Sequence, residues 1–105
     1  MSYTYVENLV REFEIPEKGI LSRVLQKDEH VNITLFGFSA GHEIASHSAS
    51  TPATIQVLEG EAEIQLGDDT VRATAGALIY MPPELPHAIS AKTPLRMLLT
   101  QVKVK

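Results

Sequence analysis

Four histidines and no cysteine bound the chemistry open to this 105-residue chain. Without a thiol there is no disulfide, no thiolate metal site and no cysteine nucleophile, which leaves imidazole and carboxylate as the candidate ligands. Two of the histidines stand where the chain would hold them. His87 closes the stretch Gly76-Ala-Leu-Ile-Tyr-Met-Pro-Pro-Glu-Leu-Pro-His87, an apolar run of strand length followed by three prolines. Proline has no amide proton to donate, so this segment can neither continue a helix nor pair within a central ladder. An imidazole delivered by so stiff a turn onto the alternating Ala88-Ile89-Ser90 has little freedom to move, which a metal ligand or a general base requires. His47 lies in an earlier stretch, Gly41 to Gly60, that ends in Val57-Leu58-Glu59-Gly60-Glu61.

A fold that brings these two stretches together puts two imidazoles in one place. Two imidazoles suit a divalent ion such as Fe, Mn, Ni, Cu or Zn, while a well-held site takes three or four protein ligands. The alternative is a metal-free pocket, with the histidines bonded to each other, to water or to backbone. His42 precedes His47 by five positions, which in an extended chain is ~16 Å and the opposite face. Glu43 has the right face but lies ~13 Å away on the same arithmetic. Gln56 points away from the pocket unless a bulge intervenes. His30 reads as a surface residue, Glu84 as a solvated turn and Glu59, Glu61 and Glu63 as one solvated strand face. Tyr80 and Met81 read as core or pocket wall. No phosphate-binding glycine loop, Ser/His/Asp order or paired-carboxylate motif is present.

The elements that must position these residues are short strands. After residues 1–15, which suit one or two amphipathic helical turns or an arm on a neighbouring subunit, Pro16-Glu17-Lys18-Gly19 is a turn signal. Ile20–Gln26 and Val31–Ser39 read as strands, the second from the alternation of Val31, Ile33 and Leu35 with Asn32 and Thr34. The segment from His42 to Pro52 is polar and rich in serine and threonine. Thr54–Glu59 and Glu61–Leu66 are strands around a corner at Gly60, and Gly67-Asp68-Asp69 is a hairpin turn. The chain returns through Val71 and Ala73 to the Gly76 stretch, then the His87 strand, then Leu95–Val104. About nine short strands and almost no helix predict an all-β sandwich or small antiparallel barrel. The reading is one domain over residues 1–105, with an N-terminal arm at 1–19 and the barrel at 20–105.

Composition narrows the partners. A net charge of −4 argues against nucleic acid and anionic lipid. No apolar run reaches the ~18 residues of a membrane span and no signal pattern opens the chain, so a cytoplasmic location is the expectation. The last strand is apolar on both faces, with Leu98, Val102 and Val104 opposite Leu95, Met97 and Leu99. It asks for cover on two sides, which a two-fold dimer through edge strands would supply.

Gly41–Gly60 and Gly76–Ala91 resemble the two sequence motifs of the cupin superfamily. In the first motif a glycine precedes His-x-His by five residues, and a glutamate and a second glycine follow. Gly41, His47 and Gly60 fit. In the second, a glycine is followed by Pro-x-Gly, a histidine and an asparagine, and Gly76, Pro82 and His87 fit. The resemblance implies a small single-domain cupin of jelly-roll type (a double-stranded β-helix), commonly dimeric, with a small-molecule pocket inside the barrel. It also implies a metal site on two histidines and the glutamate of the first motif and the histidine of the second. Carried over one by one, these fall on His47, Ala49, Ala53 and His87, so two of the four expected ligands are methyl groups. The motif glycine after Pro-x is Glu84, and the asparagine is Ala91. The expectation is therefore a barrel pocket with His47 and His87 as metal ligands and Ala49, Ala53 and Ile89 as lining. Its chemistry would be metal-assisted oxygenation or isomerisation of a small molecule, or metal-free ligand binding or sensing.

Overall fold

Side-chain alternation decides the faces of nine strands, which the computed structural model describes over residues 1–103. They are β1 (Ile20–Lys27), β2 (Val31–Phe38), β3 (Glu43–His47), β4 (Ala53–Glu59), β5 (Glu61–Leu66), β6 (Asp69–Thr74), β7 (Leu78–Met81), β8 (His87–Ala91) and β9 (Leu95–Val102). They form two antiparallel sheets, β1-β2-β9-β4-β7 and β3-β8-β5-β6. β4 shows the rule: Ala53, Ile55 and Val57 are buried while Gln56 between them is exposed. Buried Leu95 and Met97 of β9, Ala62 and Ile64 of β5, and Ile89 and Ala91 of β8 meet them between the sheets. Each such Leu, Ile or Met contributes roughly 1.5–3 kcal/mol by leaving water.

Two tight corners set the register. At Gly60, between β4 and β5, φ is 84°, and a Cβ there would sit 2.0 Å from the carbonyl oxygen of Pro94. The same corner is tied to the β8–β9 turn: Thr93 Oγ1 accepts from Glu61 N at 2.9 Å, and Lys92 N donates to Glu61 O at 2.9 Å. The β5–β6 hairpin turns in two residues, Gly67 and Asp68, with Leu66 paired to Asp69.

The structure adds detail to three stretches. The polar segment after His42 opens as a strand, β3, which has Ile44 as its one apolar inward residue and pairs with β8. Residues 1–15 contain a single 3₁₀ turn, Leu9–Arg11, whose Val10 amide is capped by Asn8 Oδ1 at 3.1 Å. Phe13 then packs on this chain's own larger sheet, against Gly37, where an added Cβ would meet its ring at 2.9 Å. Its ring lies within cation–π reach of two guanidiniums, those of Arg23 at 5.4 Å and Arg96 at 5.2 Å. Arg96 is buried beneath this contact and donates from Nε to Glu59 Oε1 at 2.7 Å. β9 is a central strand, between β2 and β4; Val104 lies outside the described residues. Among the described residues no helix is long and apolar enough to cross a membrane.

Candidate functional site

The β3–β8 ladder places His47 directly opposite His87. Their ring centroids are 4.2 Å apart, with the planes at 57°. A bulge between Ile44 and His47 makes this possible, because it lets two residues three positions apart both face inward. The same bulge moves Glu43 off the pocket face, and it lines a polar dent on the outer surface with Glu63, Ser90 and Lys92.

Each imidazole is held the same way. Nδ1 of His47 lies 3.0 Å from the carbonyl oxygen of Ala45, and Nδ1 of His87 lies 2.9 Å from that of Leu85. A carbonyl can only accept, so each neutral ring carries its proton on Nδ1 and leaves a lone pair on Nε2. This is how metal-ligating histidines are commonly oriented. The two differ in setting: His87 is 7% exposed on an inner strand, while His47 is exposed on an edge strand.

The proline-rich turn that delivers His87 is fixed from both sides. Glu84 N donates to Ala49 O at 2.7 Å, and Gly67 N donates to Pro86 O at 2.8 Å. Glu84 itself has φ 69°, the left-handed region that favours glycine, where the cupin pattern has one.

A cavity of about 80 Å³ opens beside the histidines, room for several waters or a small ligand. His47, His87, Ala49 and Ala53 line it, with Thr51, Met81, Pro82, Leu85, Leu99 and Gln101. Ile89, expected at the wall, is instead packed one layer deeper in the core, opposite Ile44 and Ile64. Gln56 is exposed on the other face of β4. His42 is a corner residue, its Nδ1 2.7 Å from Ser39 Oγ, and His30 is exposed beside Glu29. Glu84 is exposed and does not line the cavity. Gln101, Thr51, Leu85 and Leu99 were not anticipated. The first was within reach of the sequence, since the inward phase Leu95, Met97, Leu99 continues at 101.

Among the described residues no formally charged side chain lines the cavity. Among the described residues no group of three or more His, Asp or Glu is placed to hold a metal ion. What the arrangement offers is two imidazole lone pairs, one amide (Gln101), one hydroxyl (Thr51) and an otherwise apolar wall.

A family model described as a cupin domain matches residues 34–101. No curated protein matches the chain. Among solved structures, a conserved protein of unknown function from Streptococcus pyogenes is 35% identical, with a TM-score of 0.90 over 100% of this chain and 92% of that one. A cupin superfamily protein from Desulfitobacterium hafniense is 25% identical, with a TM-score of 0.89 over 96% and 95%. Salicylate 1,2-dioxygenase from Pseudoaminobacter salicylatoxidans shares 17% identity and a TM-score of 0.74 over 79% of this chain and 26% of that one, a likeness of fold alone.

Proposed function

This chain belongs to the cupin family, and on that premise we propose that it is a small-molecule-binding barrel holding a divalent metal through Nε2 of His47 and Nε2 of His87. The observation that carries this is the pair of Nδ1 contacts to Ala45 and Leu85, which turn both rings into neutral Nε2 donors on one cavity wall. Two imidazoles fit Fe, Mn, Ni, Cu or Zn, and they leave several positions to water or ligand. The donor set suits an open, exchangeable site and not a closed structural one. When bound, such an ion supplies Lewis-acid or oxygen-binding chemistry to a small organic acid, sugar or aromatic. The chain's own part is to hold the rings, through the β3 bulge and the clamped turn, and to exclude bulk water with Met81, Leu85 and Leu99.

One observation favours a second reading, a metal-free ligand-binding or sensing pocket. Ala49 and Ala53 put methyl groups where two ligands would stand, next to an already apolar wall. Elemental analysis of chain purified without chelator or nickel resin separates the two. Near-stoichiometric metal, lost in His87→Ala, supports the first, and metal should raise the melting temperature of the wild type but not of that variant. Metal content unchanged in His87→Ala sinks the assignment, and no uptake on titration favours the second.

The proposal includes a two-fold dimer. Leu78 and Tyr80 are 65% and 63% exposed on β7, an edge strand, and apolar surface there is better covered than solvated. Light scattering at the single-chain mass of 11.5 kDa would refute it.

A further inference from the structure

Gln101 faces the cavity from β9 and is paired across the β4–β9 ladder with Ala53, the position that the cupin motif fills with a glutamate. Ladder partners on one face have Cβ atoms about 4.5–5.5 Å apart. A glutamine at 101 therefore reaches toward the space that a long acidic side chain at 53 would occupy, and the methyl of Ala53 leaves that space open. The amide of Gln101 is only partly used. Its Oε1 accepts a long bond, 3.3 Å, from Asn32 Nδ2, and its NH₂ has no acceptor among the described residues. Asn32 in turn keeps a buried Oδ1 with no partner among the described residues. A half-turn of both amides preserves the bond with its roles exchanged, Gln101 Nε2 then donating to Asn32 Oδ1, and releases the carbonyl oxygen of Gln101 for another partner.

We infer that Gln101 is the third protein ligand of the ion held by His47 and His87, a neutral oxygen donor supplied from the neighbouring strand in place of the carboxylate lost at Ala53. This rests on the two-histidine reading above. Its consequence is a preference among ligands. Two imidazoles and an amide bring no negative charge, and neither does the rest of the lining. A divalent ion in this setting keeps its full charge, and an uncompensated charge against an apolar wall is costly. The ligand that completes the shell is therefore a small anion with oxygen donors, a carboxylate of a few carbons given the cavity of about 80 Å³.

The test uses the full chain, stripped of metal, titrated with Co²⁺ and followed by calorimetry and by the visible Co²⁺ band. Gln101→Leu should weaken Co²⁺ at least tenfold and shift the band. Gln101→Glu should tighten it at least tenfold, an outcome a merely structural glutamine would not give. Glycolate added to the Co²⁺ form should move the band, and the Gln101→Glu variant should need at least fivefold more glycolate, because its carboxylate already neutralises the ion. Adding Ala53→Glu should make Gln101→Leu nearly silent, since both address one coordination position. If the wild type takes up no Co²⁺, or His87→Ala binds it equally well, the two-histidine reading fails and this inference with it. If His87→Ala abolishes binding while both Gln101 variants bind like wild type, the histidine site stands and Gln101 is no ligand. Should Gln101→Leu fail to fold, Gln101→Glu alone decides, and a band that glycolate leaves unmoved overturns the anion preference.

Discussion

Replacing Glu84 by glycine should stabilise this protein, although glycine usually does the opposite. Glu84 holds φ 69° in the turn that carries His87. A left-handed conformation costs an L-residue roughly 1–2 kcal/mol, because Cβ crowds the following carbonyl oxygen. The side chain offers little in return, being exposed and without a hydrogen bond of its own among the described residues, whereas the bond from its amide to Ala49 O at 2.7 Å is kept by glycine and by alanine. Glycine removes the steric cost but adds about 0.4–1 kcal/mol of unfolded-chain entropy to be lost on folding. The balance is a gain of about 0.5–1 kcal/mol, or some 3–6 °C in melting temperature for a domain of this size. Glu84→Ala is the control: it deletes the same carboxylate but keeps the Cβ, and should lie within about 0.5 kcal/mol of wild type. Urea melts of the three proteins at equal concentration measure the differences. If Glu84→Gly is no more stable than Glu84→Ala, the turn does not hold residue 84 left-handed and the account of how His87 is positioned is wrong.

At the other corner the sign reverses: Gly60→Ala places a Cβ 2.0 Å from Pro94 O at φ 84° and should cost about 3 kcal/mol or more, lowering the melting temperature by at least about 10 °C. A smaller loss would show that the β8–β9 turn yields easily. Asp28 closes the β1–β2 turn by accepting from Val31 N at 3.0 Å, Gln26 Nε2 at 2.9 Å and His30 N at 2.7 Å, and these bonds lower its pKa from 3.8 to about 2. Because the folded value lies below the ordinary one, its stabilisation is complete above pH ~4 and is lost as the pH falls towards 2. The stability gap between wild type and Asp28→Asn should thus be present at pH 7 and shrink by pH 2.5, and a gap independent of pH would contradict it.

The strands with period-2 alternation were legible, because inward and outward positions announce themselves in β4, β5 and β9. β3 was not, since an edge strand with one inward apolar residue carries no alternation to read. Its bulge was equally hidden, although it decides the site: it seats His47 opposite His87 and turns Glu43 away. The cavity position of Ala53 follows from its phase on β4, but the glutamine facing it belongs to a strand 48 positions later, and cross-strand register is set by the whole sheet. Ile89 shows the limit of face assignment. It shares a face with His87, yet depth along the strand separates pocket wall from core.

His87 stands on a strand paired on both sides, whereas His47 stands on the rim of its sheet, bonded on one side through an interrupted ladder. The two halves of the site therefore keep different time. Opening the rim strand would free one imidazole without disturbing the core, so on the proposed two-histidine site the residence time of a ligand would be set by local fraying of that strand and not by unfolding of the barrel.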